Sequence, residues 1–168
     1  MKEIDLEKLY EIAGKEALTI ESELNSLAKL LVKNFELRTF FENATFSKEA
    51  KTKLLAEVMP GVSVLFRNLI GLLIDENMEK AAIKLSERFT QLAARKTGTV
   101  FAEVAAAAAL SEGEKKKIVD WLGGQVNLRE EIDPDLIGGV KIFTSDGKYF
   151  DGTLSGALEN LKESIINA

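Results

Sequence analysis

The chain has 168 residues, 46% of them hydrophobic, and a formal net charge of −5, so it can bury a core as one domain or two small ones. It contains no cysteine and no histidine, which excludes disulfides, thiolate nucleophiles, cysteine-ligated zinc and the usual general base near neutral pH. Residues 1–98 balance acids against bases, so the whole negative excess falls in residues 99–168 and no basic face is left for nucleic acid.

In chain order, Asp5 is placed to cap a first helix, with Ile4 and Leu9 as a hydrophobic staple. Leu6, Tyr10, Ala13 and Ala17 form one apolar stripe, and Leu9 with Ile12 a second. Thr19 is the expected cap of the next helix, whose Ile20, Leu24, Leu27 and Leu31 share a face. A short helix or turn follows over Leu37–Phe41. Ser47 then caps a helix carrying Leu54, Leu55 and Val58, stopped by Pro60-Gly61. The segment Val62–Asp75 is apolar nearly all round, with only a narrow polar stripe of Arg67, Gly71 and Asp75. Such a helix is either central to a bundle or keeps one side for a partner. From Glu76 to about Lys96 a longer helix is predicted, with Met78, Ala82, Leu85, Phe89 and Leu92 facing inward.

At Thr97-Gly98 the period changes from helical to alternating. Val100, Ala102 and Val104 mark one side of a strand, and Ala105–Ala109 is helix-prone. Ser111 and Glu114 make a capping box for a helix bearing Ile118, Trp121 and Leu122, and Val126 with Leu128 suggests a short strand. Asp133-Pro134-Asp135 is a turn. Gly138-Gly139 lets the backbone bend or approach another strand closely. Val140, Ile142 and Phe143 form a strand, Asp146-Gly147 predicts a type I′ hairpin, and Tyr149-Phe150 returns. Asp151-Gly152-Thr153 starts a last helix with Leu154, Leu158, Leu161 and Ile165 on one stripe. The predicted fold class is α+β: an N-terminal six-helix bundle over residues 1–98, then a small α/β domain with a mixed sheet over residues 99–168.

Little here points to bond chemistry. Asp133, Asp135, Asp146 and Asp151 have the oxygens for calcium or magnesium but not the EF-hand spacing, and turn chemistry accounts for all four. Gly138-Gly139 lacks the Lys-Ser/Thr of a P-loop, and Glu130 with Glu131 has no cleft to act across. A non-enzyme without cofactor or metal is expected. No apolar run reaches bilayer length and no basic-then-apolar signal opens the chain, so a soluble, intracellular protein without membrane insertion is expected.

The run IDPDLIGGVKI, a hairpin, then DGTLSGALENL resembles the C-terminal signature of the F-type ATP synthase delta subunit family, which includes the oligomycin-sensitivity-conferring protein. Tyr10-Glu11-Ile12-Ala13 resembles a segment of that family's first helix. Phe46-Ser47 with Lys51 resembles its fourth-helix start, and LFRNLIGLLIDENMEKAAIKLSERF its fifth and sixth helices. The resemblance implies a peripheral-stalk subunit that bears torque on the cytoplasmic face of a bacterial membrane; a mature organellar chain would look the same. It implies that a groove between the first and fifth helices holds N-terminal segments of alpha subunits, and that the C-terminal domain meets the b subunits.

For the groove, Phe66, Ile70 and Leu73 are assigned to the core, and Leu65, Leu69 and Leu72, with Leu9, Ile12 and Ala13, to the alpha segment. The signature residues Asp133, Pro134, Leu136, Ile137, Gly138, Gly139, Asp151 and Gly152 are expected to be structural and near the b contact. A simple bundle core is an equal account of most of these apolar residues. The competing functions are a soluble helical adaptor or regulator unrelated to ATP synthesis and, more weakly, a small carboxylate enzyme.

Overall fold

The computed structural model describes residues 4–153 and 156. The chain is α+β: six α-helices precede a small mixed four-stranded sheet. Its backbone contacts divide it into two units, Met1–Ala93 and Ala94–Ala168. The helices are α1 (Leu6–Ala13), α2 (Ala17–Lys33), α3 (Phe35–Glu42), α4 (Lys48–Val58), α5 (Val64–Asp75) and α6 (Ala82–Thr97), and the division falls within α6.

Four of these helices start on a side chain that accepts a backbone N–H otherwise left without a partner. Asp5 accepts from Lys8, Asn34 from Leu37, Ser47 from Ala50 and Ser63 from Phe66. Helix α2 does not start at Thr19. A single 3-10 turn over Gly14–Glu16 leads straight into helical Ala17, so Thr19 lies inside the helix. Nor does α6 start at Glu76. Glu76 closes α5, and Asn77 takes the left-handed conformation at φ +54°. The Met78 amide then donates to the Leu73 carbonyl at 2.7 Å, and the Asn77 amide to Ile74 at 3.2 Å. This is a Schellman stop with asparagine in the place usually held by glycine.

The core of the helical unit is built on the stripe Ile20, Leu24, Leu27 and Leu31 of α2 and on Phe66, Ile70 and Leu73 of α5, with Phe89 of α6. Three charged side chains are buried with it. Lys51 of α4 pairs with Glu79, in the 3-10 turn before α6, and both are almost fully buried. Glu21 accepts a hydrogen bond from the Thr90 hydroxyl at 2.6 Å. The part-buried Glu23 accepts from the Ser63 amide at 2.5 Å and its hydroxyl at 2.7 Å, which places a carboxylate at the positive end of α5.

The second unit contains β1 (Thr99–Ala106), α7 (Glu112–Leu122), β2 (Gln125–Ile132), β3 (Val140–Thr144) and β4 (Tyr149–Asp151), in sheet order β2-β1-β3-β4. Strands β1 and β2 are parallel, from Thr99 opposite Gln125 to Ala106 opposite Ile132, and α7 is their crossover. Strand β3 runs antiparallel on the other edge of β1, and β4 antiparallel to β3. Ala102, Val104 and Ile142 form the centre of this core, with Ile118 and Leu122 of α7 packed on it.

Three predicted features are corrected. Ala105 and Ala106 are strand, because β1 is paired along both edges and pairing outweighs alanine's helix preference. The β2 strand is eight residues long. The β3–β4 hairpin is not type I′: of its turn residues only Gly147 has positive φ, at +85°, and its amide donates to the Thr144 carbonyl at 2.9 Å. The apolar stripe Leu154, Leu158, Leu161 and Ile165 lies outside the described residues.

Two tests follow from this packing. We propose that residues 1–98 fold alone, since their caps and apolar stripes are complete; that fragment should show one cooperative, helical thermal transition, and a featureless melt refutes it. Lys51→Ala should cost about 3–5 kcal/mol in urea denaturation, because it strands the buried Glu79 carboxylate. The double change Lys51→Met with Glu79→Leu should recover most of that loss.

Candidate docking surfaces

The sequence-predicted groove residues do not all share one exposure. Leu9, Ala13 and Leu69 are buried in the core of the helical unit. Ile12 is 71% and Leu72 49% exposed, while Leu65 is half-buried against the core. The stripe Leu65, Leu69 and Leu72 therefore splits. Leu69 joins Phe66, Ile70, Leu73 and Ile74 because the buried arc of α5 is wider than one line of side chains. On α1, the stripes Leu6–Tyr10–Ala13 and Leu9 both turn inward and Ile12 alone of the apolar residues stays out.

The glycine signature has a direct geometric cause. Gly139 is at φ +76°, and a Cβ built on it would sit 2.1 Å from the Gly152 carbonyl oxygen and 2.8 Å from the Thr153 Cα. The two glycine-bearing segments thus touch backbone to backbone, and the Gly152 amide donates to the Val140 carbonyl at 2.9 Å. Asp151 completes the unit: its carboxylate accepts from the Thr153 amide at 3.0 Å and hydroxyl at 2.6 Å. The Thr153 hydroxyl in turn accepts from the Gly156 amide at 3.1 Å, and Thr153 is buried. Hydrogen bonds from Thr153 hold the Asp151 carboxyl below the usual carboxylate range.

The other aspartates are also engaged in turns. Asp133 accepts from the Asp135 amide at 3.1 Å, and its carbonyl accepts from the Leu136 amide at 3.2 Å, across Pro134. Asp146 accepts from the Thr144 hydroxyl and pairs with Lys148 at 2.8 Å, which keeps its carboxyl low. Gly138 is left-handed at φ +133°, and Ile137 beside it is 77% exposed. Lys115, from the one basic run, is held by Glu130 at 3.1 Å and Glu112 at 3.4 Å.

Sequence reasoning missed the exposed aromatic rings of the second unit. Trp121 of α7 stacks obliquely on Phe150 at 5.2 Å between centroids, and Phe143 meets Tyr149 at 6.5 Å. All four are exposed. The available signal was the alternation of β3, which must put Phe143 opposite the buried Ile142.

These features define a class: an α+β protein with apolar side chains left on its surface and with Asp133, Asp146 and Asp151 engaged in turns. A family model described as ATP synthase delta (OSCP) subunit matches residues 7–165. The ATP synthase subunit delta of Desulfitobacterium hafniense (strain DSM 10664 / DCB-2) is 32% identical over 166 residues, covering 95% of this chain and 93% of that one. That of Nostoc sp. (strain PCC 7120 / SAG 25.82 / UTEX 2576) is 29% identical over 167 residues, covering 95% and 91%. A chain in the cryo-EM structure of the Toxoplasma gondii mitochondrial ATP synthase hexamer shares the fold, with a TM-score of 0.56 at 16% identity over 96% of this chain and 94% of that one. The chain belongs to the ATP synthase delta (OSCP) subunit family. It is a non-catalytic peripheral-stalk subunit of the ATP synthase, associated with the membrane peripherally. No helix among the described residues is long and apolar enough to cross a membrane.

The close glycine contact can be tested directly. Gly139→Ala should lose roughly 2–4 kcal/mol, because the collision is with backbone that cannot swing away. Gly147→Ala, also at positive φ but with nothing within 4 Å of its Cβ, should lose only about 1–2 kcal/mol. Equal losses in chemical denaturation would mean that backbone conformation alone sets the glycine requirement.

Proposed function

We propose that the helical unit grips an N-terminal segment of an ATP synthase alpha subunit between α1 and α5. Ile12, Leu65 and Leu72 make the contact, while Leu9, Ala13 and Leu69 form the floor beneath it. The carrying observation is the split of α5: one continuous arc is buried, yet Leu72 stays 49% exposed beside it, with Ile12 of α1 at 71%. An amphipathic helix laid on such residues buries its own apolar face by the same means.

The sheet unit, with the signature Asp133, Pro134, Leu136, Ile137, Gly138, Gly139, Asp151 and Gly152, is the end that meets the b subunits. The backbone contact at Gly139 supports a structural part for the signature, and the exposed Ile137 supplies apolar surface near it. The helical unit acts as a six-helix bundle and the sheet unit as a separate domain. On this reading the protein lies at the cytoplasmic face of the membrane and holds the catalytic hexamer still while the rotor turns, so that torque is spent on ATP synthesis. Its work is mechanical.

The test pairs stability with binding. Leu72→Ala should melt close to wild type and weaken binding of a synthetic alpha N-terminal peptide by about 1–2 kcal/mol in calorimetric titration. Leu69→Ala should cost about 2–5 kcal/mol of stability, since it opens a cavity in the core. Unchanged peptide affinity in both Leu72→Ala and Ile12→Ala would remove the groove from this position.

A further inference from the structure

The two flanks of α5 differ. Leu65 and Leu72 lie on one, whereas Arg67 and Gly71, four residues apart and so neighbours on the helix surface, lie on the other. Between that second flank and α4 is a cavity of about 150 Å³, walled by Leu55, Met59, Val62 and Ile70, with Gly71 and Arg67 also lining it. A mostly apolar cavity of that order has room for a benzene-sized group, and here it opens toward solvent beside Arg67.

Gly71 has no local reason to be glycine. Its φ is not left-handed, and a Cβ on it would meet nothing within 4 Å. Glycine in a helix interior weakens the helix relative to alanine. Gly71 lines the cavity, and the missing side chain leaves that wall open. The Arg67 side chain is exposed and has no ion pair or hydrogen bond among the described residues. On the facing helix α4, Lys48 is committed to Asp75 at 2.6 Å and Lys51 to Glu79, while Lys53 has no ion pair among the described residues.

We propose that this cavity between α4 and α5 is a second docking pocket, which takes one aromatic or leucine side chain from an acidic amphipathic helix whose carboxylate, one turn from that anchor, pairs with Arg67. The volume sets the size of the anchor, the free guanidinium sets the charge beside it, and Gly71 sets how near the partner helix can lie. A planar guanidinium suits a carboxylate in two-point contact. The pocket is separate from the groove proposed above, which uses the opposite flank of α5.

The probe is a blocked helical peptide of alanine, glutamate and lysine, with one phenylalanine at its centre and a glutamate one turn before it, titrated into the full-length ¹⁵N-labelled chain. Saturable shifts are expected at the amides of Met59, Arg67 and Gly71. Gly71→Leu fills the cavity and strengthens the helix, so it should melt no lower than wild type and bind the probe at least about tenfold more weakly. Arg67→Gln, an exposed change that leaves the packing alone, should weaken the probe severalfold but leave unchanged a peptide whose glutamate is replaced by glutamine. Leu72→Ala should bind the probe as wild type does, which separates this pocket from the alpha groove. Full affinity in both Gly71→Leu and Arg67→Gln, no saturable shift at millimolar probe, or equal binding of a peptide with alanine in place of its phenylalanine overturns the pocket. Self-association in sedimentation that Gly71→Leu abolishes overturns it in favour of a second copy of the chain.

Discussion

The helical unit depends on a buried ion pair. Lys51 and Glu79 face each other with almost no solvent, and they join α4 to the turn that launches α6. Two charges in an apolar interior are tolerable only together, so each specifies where the other must be. The pair ties the 3-10 turn after the Asn77 reversal to α4, and from that turn α6 carries Ala82, Leu85 and Phe89 into the core. A purely apolar contact there would be compatible with a rotated or shifted α6; a point contact between opposite charges is not.

The sheet unit is governed by a steric constraint instead. At Gly139 and Gly152 the chain passes so close to itself that no side chain fits between, and Asp151 and Thr153 brace one side of that crossing by hydrogen bonds to each other. The crossing seats the end of β4 against the start of β3, where the Gly152 amide meets the Val140 carbonyl. Gly139 and Gly152 thus record backbone proximity, and Asp151 braces the β4 side of it.

A stalk subunit works by carrying load, and the structure is consistent with that in its details. Several of its carboxylates are spent on caps, turns and ion pairs, as with Glu23 at the start of α5 and Glu130 holding Lys115 and the Leu110 amide. Large apolar side chains also stay exposed, among them Ile12, Phe35 and Leu72 on the helical unit and Trp121, Phe150 and Ile137 on the sheet unit.

Much of this was legible locally. Caps at Asp5, Ser47 and Ser111, the stop at Pro60-Gly61, the switch of period after Gly98 and the turn at Asp133-Pro134 each involve residues a few positions apart, so the sequence by itself determined them. The sequence also carried the family, because the glycine pair and the Asp-Gly-Thr step stand at a diagnostic spacing. What it did not carry were matters settled by distant neighbours. Ala105 and Ala106 became strand because β2 and β3 flank them, and Leu69 became core because the arc α5 buries is wider than its periodicity implies. Nothing in the local pattern pairs Lys51 with Glu79, 28 residues further along the chain. Periodicity reports that a helix has an apolar side; only packing decides how much of that side is covered, since coverage is a property of the neighbours and not of the helix.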